Sequence, residues 1–220
     1  MCEGNRKWLP FFVFRGNMSY ETKAELVRNN IINAAKTYKE ILVGRYYLYV
    51  FENQCFEMYY GTDNFLHLTG AGTNLSANQF YELAVSGKLQ TKQLFFNQRF
   101  PLHTALKKTE YLSELEKFIK EGYFVVKDLK TATVLYPYTI TNIDQSVLLG
   151  LKEETNKEIH IPKSFRVKGN IFEKAENKNL YEINFICSKT DYQGLYDTVL
   201  YKEKDWETLP GEILDKIDLS

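Results

Sequence analysis

Three histidines, His67, His103 and His160, are the residues to weigh first for proton transfer near neutral pH. His67 stands between Leu66 and Leu68, directly before Thr69 and Gly70, where the chain leaves a β-rich stretch and turns. A histidine in so apolar a setting is either a core residue bonded to backbone or a proton-transfer group. The two readings predict opposite burial. His103 follows Phe100 and Pro101 at the start of a predicted helix, inside a basic stretch, and is a candidate for holding substrate. His160 lies close to Lys163, with no pattern to fix its direction.

Several chemistries find no support in the spacing. The sequence has no H-x-H, no H-E-x-x-H and no C-x-x-C, and no run of paired carboxylates of the kind that holds two metal ions. No metal and no cofactor is therefore expected. A G-x-S-x-G nucleophile elbow is missing, and Gly70-Ala71-Gly72 lacks the lysine that a phosphate loop places after its glycines. Cys55 and Cys187 alternate with apolar residues, as core positions do. One metal-free reaction remains compatible. RNA is cut by its own 2′-hydroxyl when a base takes that proton, an acid protonates the leaving 5′-oxygen and cations stabilise the charged phosphorane.

The composition bounds the rest. The chain has 220 residues with 28 Lys+Arg against 28 Asp+Glu, a net charge of zero that excludes a wholesale polyanion binder. The zero is a sum of unequal parts. Residues 87–108 carry Lys88, Lys92, Arg99, Lys107 and Lys108 with no acid, and residues 157–168 carry Lys157, Lys163, Arg166 and Lys168 against Glu158 alone. Residues 203–220 hold six acids and two lysines. The basic stretches would hold phosphates if they share a face, and would otherwise serve only solubility. Three scattered cysteines suit a reduced, cytosolic protein. The apolar run 8–14 is too short for a secretory signal and contains Pro10, so an N-terminal strand or tether is expected there. No run approaches the length of a membrane span.

These residues need elements to position them. Apolar spacing predicts a helix over 20–42 with Ser19 as its N-cap, then a hairpin from 46–51 and 55–60, then a loop through 65–75. Ser76 and Gln79 form a capping box for a second helix ending at Gly87, and a third follows Pro101 up to Gly122. Beyond it the pattern turns to short strands at 123–126, 133–139, 146–151, 181–187 and 198–201, with Pro137 marking an edge or a bulge. The expected organisation is a tether at 1–19, one α+β domain over 20–205 and an acidic tail over 206–220.

Phe65-Leu-His-Leu-Thr-Gly70, Asn74-Leu-Ser-Ala77, Phe80-Tyr81 and Gly87-Lys-Leu89, followed by the basic helix, resemble a phage-associated family of barnase–EndoU–colicin–RelE-like (BECR) nucleases, the fourth of the phage set. The likeness spans about residues 20–205 and is sharpest over 65–89. It implies N-terminal helices packed on a four- to five-stranded antiparallel sheet, with metal-independent RNA cleavage on the open sheet face. His67 and Thr69 sit in the matching motif, His67 as general base or acid. Lys163 and Ser164 are the implied phosphate ligands, and Tyr196 would bind a base or donate a proton. Lys88, Lys92 and Arg99 would steer the backbone, with His103 beside them. The partner expected is RNA or another nucleic acid in a host cytosol, with no membrane. A catalytically inactive binder of nucleic acid or a host defence protein, and a toxin held by an antitoxin-like partner, are the alternatives.

Overall fold

Ser19 opens the first helix, α1 (Tyr20–Thr37), by accepting a hydrogen bond from the Thr22 amide at 3.2 Å. In the computed structural model, which describes residues 18–131, 134–155, 157–167, 179–203, 205 and 208–219, this helix runs on through one wide turn at Tyr38–Leu42. The expected tether at 8–14 and Lys168 lie outside the described residues. Ala24, Val27, Ile31, Ala34, Ala35, Tyr38 and Leu42 are all buried, so the predicted apolar face is the one that packs. The hairpin of β1 (Tyr46–Phe51) and β2 (Gln54–Tyr59) turns at Glu52 and Asn53, both at positive φ, as a tight hairpin of right-twisted strands requires.

Residues 65–69, read from sequence as loop, form a short helix, α2 (Phe65–Thr69), closed by Gly70 at φ 72°. A two-residue strand β3 (Gly72–Thr73) precedes α3 (Ala77–Val85), whose capping box is present, and β3 pairs with β4 (Leu94–Phe95). The third predicted helix is segmented into α4 (Leu102–Tyr111), a tighter turn at Leu112–Glu116 and α5 (Lys117–Lys120). The strands that follow are β5 (Phe124–Lys130), β6 (Leu135–Thr141), β7 (Val147–Glu153), β8 (Ile159–Val167), β9 (Tyr181–Glu182), β10 (Phe185–Lys189) and β11 (Thr198–Lys202). A single turn, α6 (Gly211–Leu214), comes last.

The expected four- to five-stranded antiparallel sheet is wrong, although the α+β class holds. Among the described residues nine strands form one mixed sheet in the order β11-β10-β1-β2-β8-β7-β6-β5-β9, curled into a half-barrel. The reason is β8. It lies parallel to β2, with Glu57 opposite Ile159 and Met58 opposite His160, and so joins the hairpin sheet to the β5–β8 meander. A parallel neighbour requires a long crossover, and here the crossover holds all the helices between residues 60 and 123. Pro162, Lys163, Ser164 and Arg166 break the apolar alternation of β8, which hid it among basic residues. Pro137 sits in the part of β6 that has no β7 partner, and opposite it Asp128 takes φ 51°.

The curled sheet has two apolar faces. Tyr47, Tyr49, Phe56, Met58 and Phe165 pack with the helices in the main core. Leu48, Val50, Phe185 and Cys187 face the other way, against Tyr196, Ile213 and Ile217. The acidic C-terminal stretch therefore anchors itself to this second face, held by Tyr196 N to Lys216 O and Asp218 N to Tyr196 O, each 2.9 Å. No helix among the described residues is long and apolar enough to cross a membrane.

Glu57 organises that second face. It accepts from the Tyr196 hydroxyl at 2.9 Å and from Lys216 Nζ at 2.8 Å. Burial pushes its carboxyl up, but these bonds and the nearby lysines outweigh it and leave the group below the ordinary glutamate range. A depressed native value means stability present above the unfolded value and lost as pH falls through the native one. Glu57→Gln should therefore cost about 2 kcal/mol at neutral pH, the scale of hydrogen bonds to a charged group. Urea unfolding at about pH 7 and about pH 3 tests this, with the gap from wild type closing in acid. A gap that stays constant would contradict the assignment.

Candidate active site

β2 and β8 share only two register pairs before they part, and β8 runs on past the end of β2. Helices α2 and α4 pack against β8 beyond that point. Within this stretch the β7–β8 register slips between Gly150–Ser164 and Leu151–Pro162, so Lys163 is an extra residue without a partner on β7. Such a bulge bends the strand and re-aims a side chain. Lys163 is exposed, and its ammonium acts electrostatically on His67 of α2.

Thr69 builds the turn that presents His67. Its hydroxyl donates to Leu66 O at 2.9 Å and accepts from the Ala71 amide at 3.1 Å, while the residue itself is fully buried. Gly70 then reverses the chain in the left-handed conformation, where a side chain is disfavoured. His67 is exposed, and among the described residues its ring nitrogens have no hydrogen-bond partner. Partial shielding of the ring, then the Lys163 charge, push it below the ordinary imidazole range, opposed by Asp63. The ring is neutral at pH 7 and free to take a proton.

A cavity of about 330 Å³ lies beside this turn. His67, Thr73, Arg99, Thr104 and Lys108 supply its polar lining. Arg99 is placed by Asn97, whose Oδ1 accepts from the Arg99 and Phe100 amides at 2.9 and 3.0 Å, and its guanidinium lies 5.4 Å from the Phe100 ring centre. Phe95 and Phe100 meet edge to face and close in over Gly72, where a methyl group would strike both rings. Lys108 packs its stem on Gly70, and burial, with Arg166 of β8 adding to it, brings its amine down to about 8. A wider depression of about 690 Å³ between Leu135, Lys152 and Glu158 holds no histidine and mixes both signs of charge.

The candidate residues thus fall into four groups. His67 and Arg99 line one cavity, with Lys163 close enough to act on His67. Thr69 buttresses the turn, and Ser164, beside Lys163, accepts from Arg166 Nε at 3.3 Å. Lys88, Lys92 and His103 are exposed outside the cavity wall, Lys92 in the turn leading to β4. Tyr196 is elsewhere: it lies fully buried on the second face, its hydroxyl held by Glu57 and its ring under Lys189 Nζ at 4.4 Å. His160 marks the strand junction, with Nδ1 3.3 Å from Glu57 O and its ring edge-on to Tyr138.

Thr104, Lys108 and Arg166 escaped the sequence reading as site residues. The spacing 101, 104, 108 is that of one helix face, and this was the available signal for Lys108. For Arg166 the only signal was its membership of the basic stretch 157–168.

Gly70→Ala should cost more stability than Gly87→Ala. Both positions lie at positive φ, worth about 1–2 kcal/mol against a side chain. Only at Gly70 would the methyl meet a neighbour, Lys108 Cδ at 2.8 Å, whereas Gly87 has open space. Equal losses in urea unfolding would show that Lys108 does not depend on this contact.

Among curated proteins and solved structures none matches this chain. The model of one family, the phage-Barnase-EndoU-ColicinE5/D-RelE like nuclease 4, matches residues 30–205, which include α2, α4, β8 and every residue of the cavity. The chain belongs to that nuclease family.

Proposed function

We propose that this nuclease cleaves RNA without a metal, by attack of the substrate's own 2′-hydroxyl on the adjoining phosphate. The observation that carries the reading is the placement of His67. It is exposed, without a hydrogen-bond partner among the described residues, neutral at pH 7, and set on a cavity whose other polar groups include Arg99 and Lys108. A core histidine would show the reverse of these properties. A neutral imidazole is suited to removing the 2′-proton, and the fixed cations suit the phosphorane that follows. Arg99 and Lys163 are the phosphate ligands in this scheme, with Thr104 available as a hydroxyl donor.

The cations outside the cavity have a different role. Lys88 and Lys92 are exposed and would attract the backbone at a distance, an effect that salt screens. The partner class is therefore single RNA strands able to enter a cavity of about 330 Å³.

His67→Ala should lower cleavage of a total-RNA substrate by about 10²-fold or more while the circular dichroism spectrum is unchanged. Activity of the wild type should rise with pH through a midpoint below the ordinary imidazole value, because His67 must be neutral to act. Products should end in 2′,3′-cyclic phosphate, and a 2′-deoxy substitution at the cut should block the reaction. Retained cleavage in the His67 variant, or cleavage of the 2′-deoxy substrate, would overturn the mechanism.

A further inference from the structure

Cleavage by the 2′-hydroxyl needs two proton transfers, one at the attacking oxygen and one at the departing 5′-oxygen. His67, acting at the first, leaves the second unassigned. Lys108 shares its cavity. The lysine stem is held between its own helix and the turn after α2, where a methyl on Gly70 would come within 2.8 Å of Cδ and 3.5 Å of Cε. The stem is thereby packed on the same turn that carries His67. Among the described residues Lys108 forms no salt bridge. The charge acting on it is Arg166 of β8, while His67 of α2 and Arg99 of the loop before α4 line the same cavity.

We propose that Lys108 is the second proton-transfer residue, the general acid for the leaving 5′-oxygen, with His67 as the base at the 2′-hydroxyl. The inference rests on the RNA-cleavage reading above. The 2′-oxygen forms its bond to phosphorus as His67 takes the 2′-proton. The bond from phosphorus to the 5′-oxygen breaks as Lys108 Nζ gives that oxygen a proton. The products are a 2′,3′-cyclic phosphate and a free 5′-hydroxyl. His67 ends with one proton more and Lys108 with one fewer, and solvent exchange restores both. An arginine is too weak an acid for this step, which leaves Lys108 among the cavity's cations. An amine brought down to about 8 is still charged at pH 7 yet a much better acid than an ordinary lysine.

The test compares wild type, His67→Ala, Lys108→Arg and Lys108→Gln on two substrates. One is a short RNA, and the other is a set of nucleoside 3′-(4-nitrophenyl phosphates) whose leaving group needs no proton. Both Lys108 variants should lose about 10²-fold or more on RNA and only a small factor on the activated esters. His67→Ala should lose on both. The wild-type rate on RNA should fall again at alkaline pH with a midpoint at about 8, a limb that Lys108→Arg removes or displaces. Equal losses of the Lys108 variants on both substrates, or a wild-type profile flat through that region, would overturn the assignment. A wild type that cleaves neither substrate would instead remove the RNA-cleavage reading itself.

Discussion

The parallel pairing of β2 with β8 is the constraint on which the rest depends. Two residue pairs, Glu57–Ile159 and Met58–His160, join a hairpin sheet to a meander that would otherwise be separate. Parallel neighbours cannot be joined by a tight turn, so the chain between them must travel far, and it uses that distance to lay down α2, α3 and α4. Because the pairing stops early, β8 extends beyond β2 and meets α2 and α4 instead of another strand. The cavity is lined from α2, the turn after it, the loop before α4 and α4 itself, while β8 supplies two charges, Lys163 and Arg166, that act on its His67 and Lys108.

Division of the two sheet faces follows from the same arrangement. The helices cover one face and bury its aromatic residues, leaving the other to the C-terminal stretch. Glu57 belongs to the second face, through Tyr196 and Lys216, while its backbone carbonyl meets His160. Its neighbour in β2, Met58, belongs to the first. Adjacent residues of one strand thus serve opposite layers, as the two-residue period of a strand dictates. The acidic C-terminal residues consequently lie against the face away from the helices, where Ile213 and Ile217 anchor them.

Titration in the cavity is set by what surrounds it. Shielding and neighbouring cations act together there, and both disfavour a positive charge on His67 or Lys108. An imidazole and an amine are thereby moved toward neutrality from different starting points. The shifts favour a neutral imidazole beside an amine still charged at pH 7, the complementary pair that the proposed acid–base cleavage would use. On the second face the balance is reversed, because Glu57 has Lys216 and the Tyr196 hydroxyl directly bonded to it, with the Lys189 charge nearby, and keeps its charge.

The local signals were legible because they depend on near neighbours. The Ser19 and Ser76 caps, the left-handed Gly87 and the β1–β2 hairpin all formed as their residue patterns predict. The 65–89 motif pointed to the family for the same reason, being one continuous stretch. α2 was missed since five residues between turns carry too little periodicity, and β8 since Pro162 and its bulge interrupt the alternation. Tyr196 could not be separated from His67, because which face of a sheet a residue occupies depends on register with distant strands. The sequence by itself determined the longer helices, the β1–β2 hairpin, the family and the charge-rich segments. Only the tertiary structure decided which of those charges meet, because Lys163 and Arg166 of β8 are brought to His67 and Lys108 by strand pairing and helix packing that no local pattern encodes.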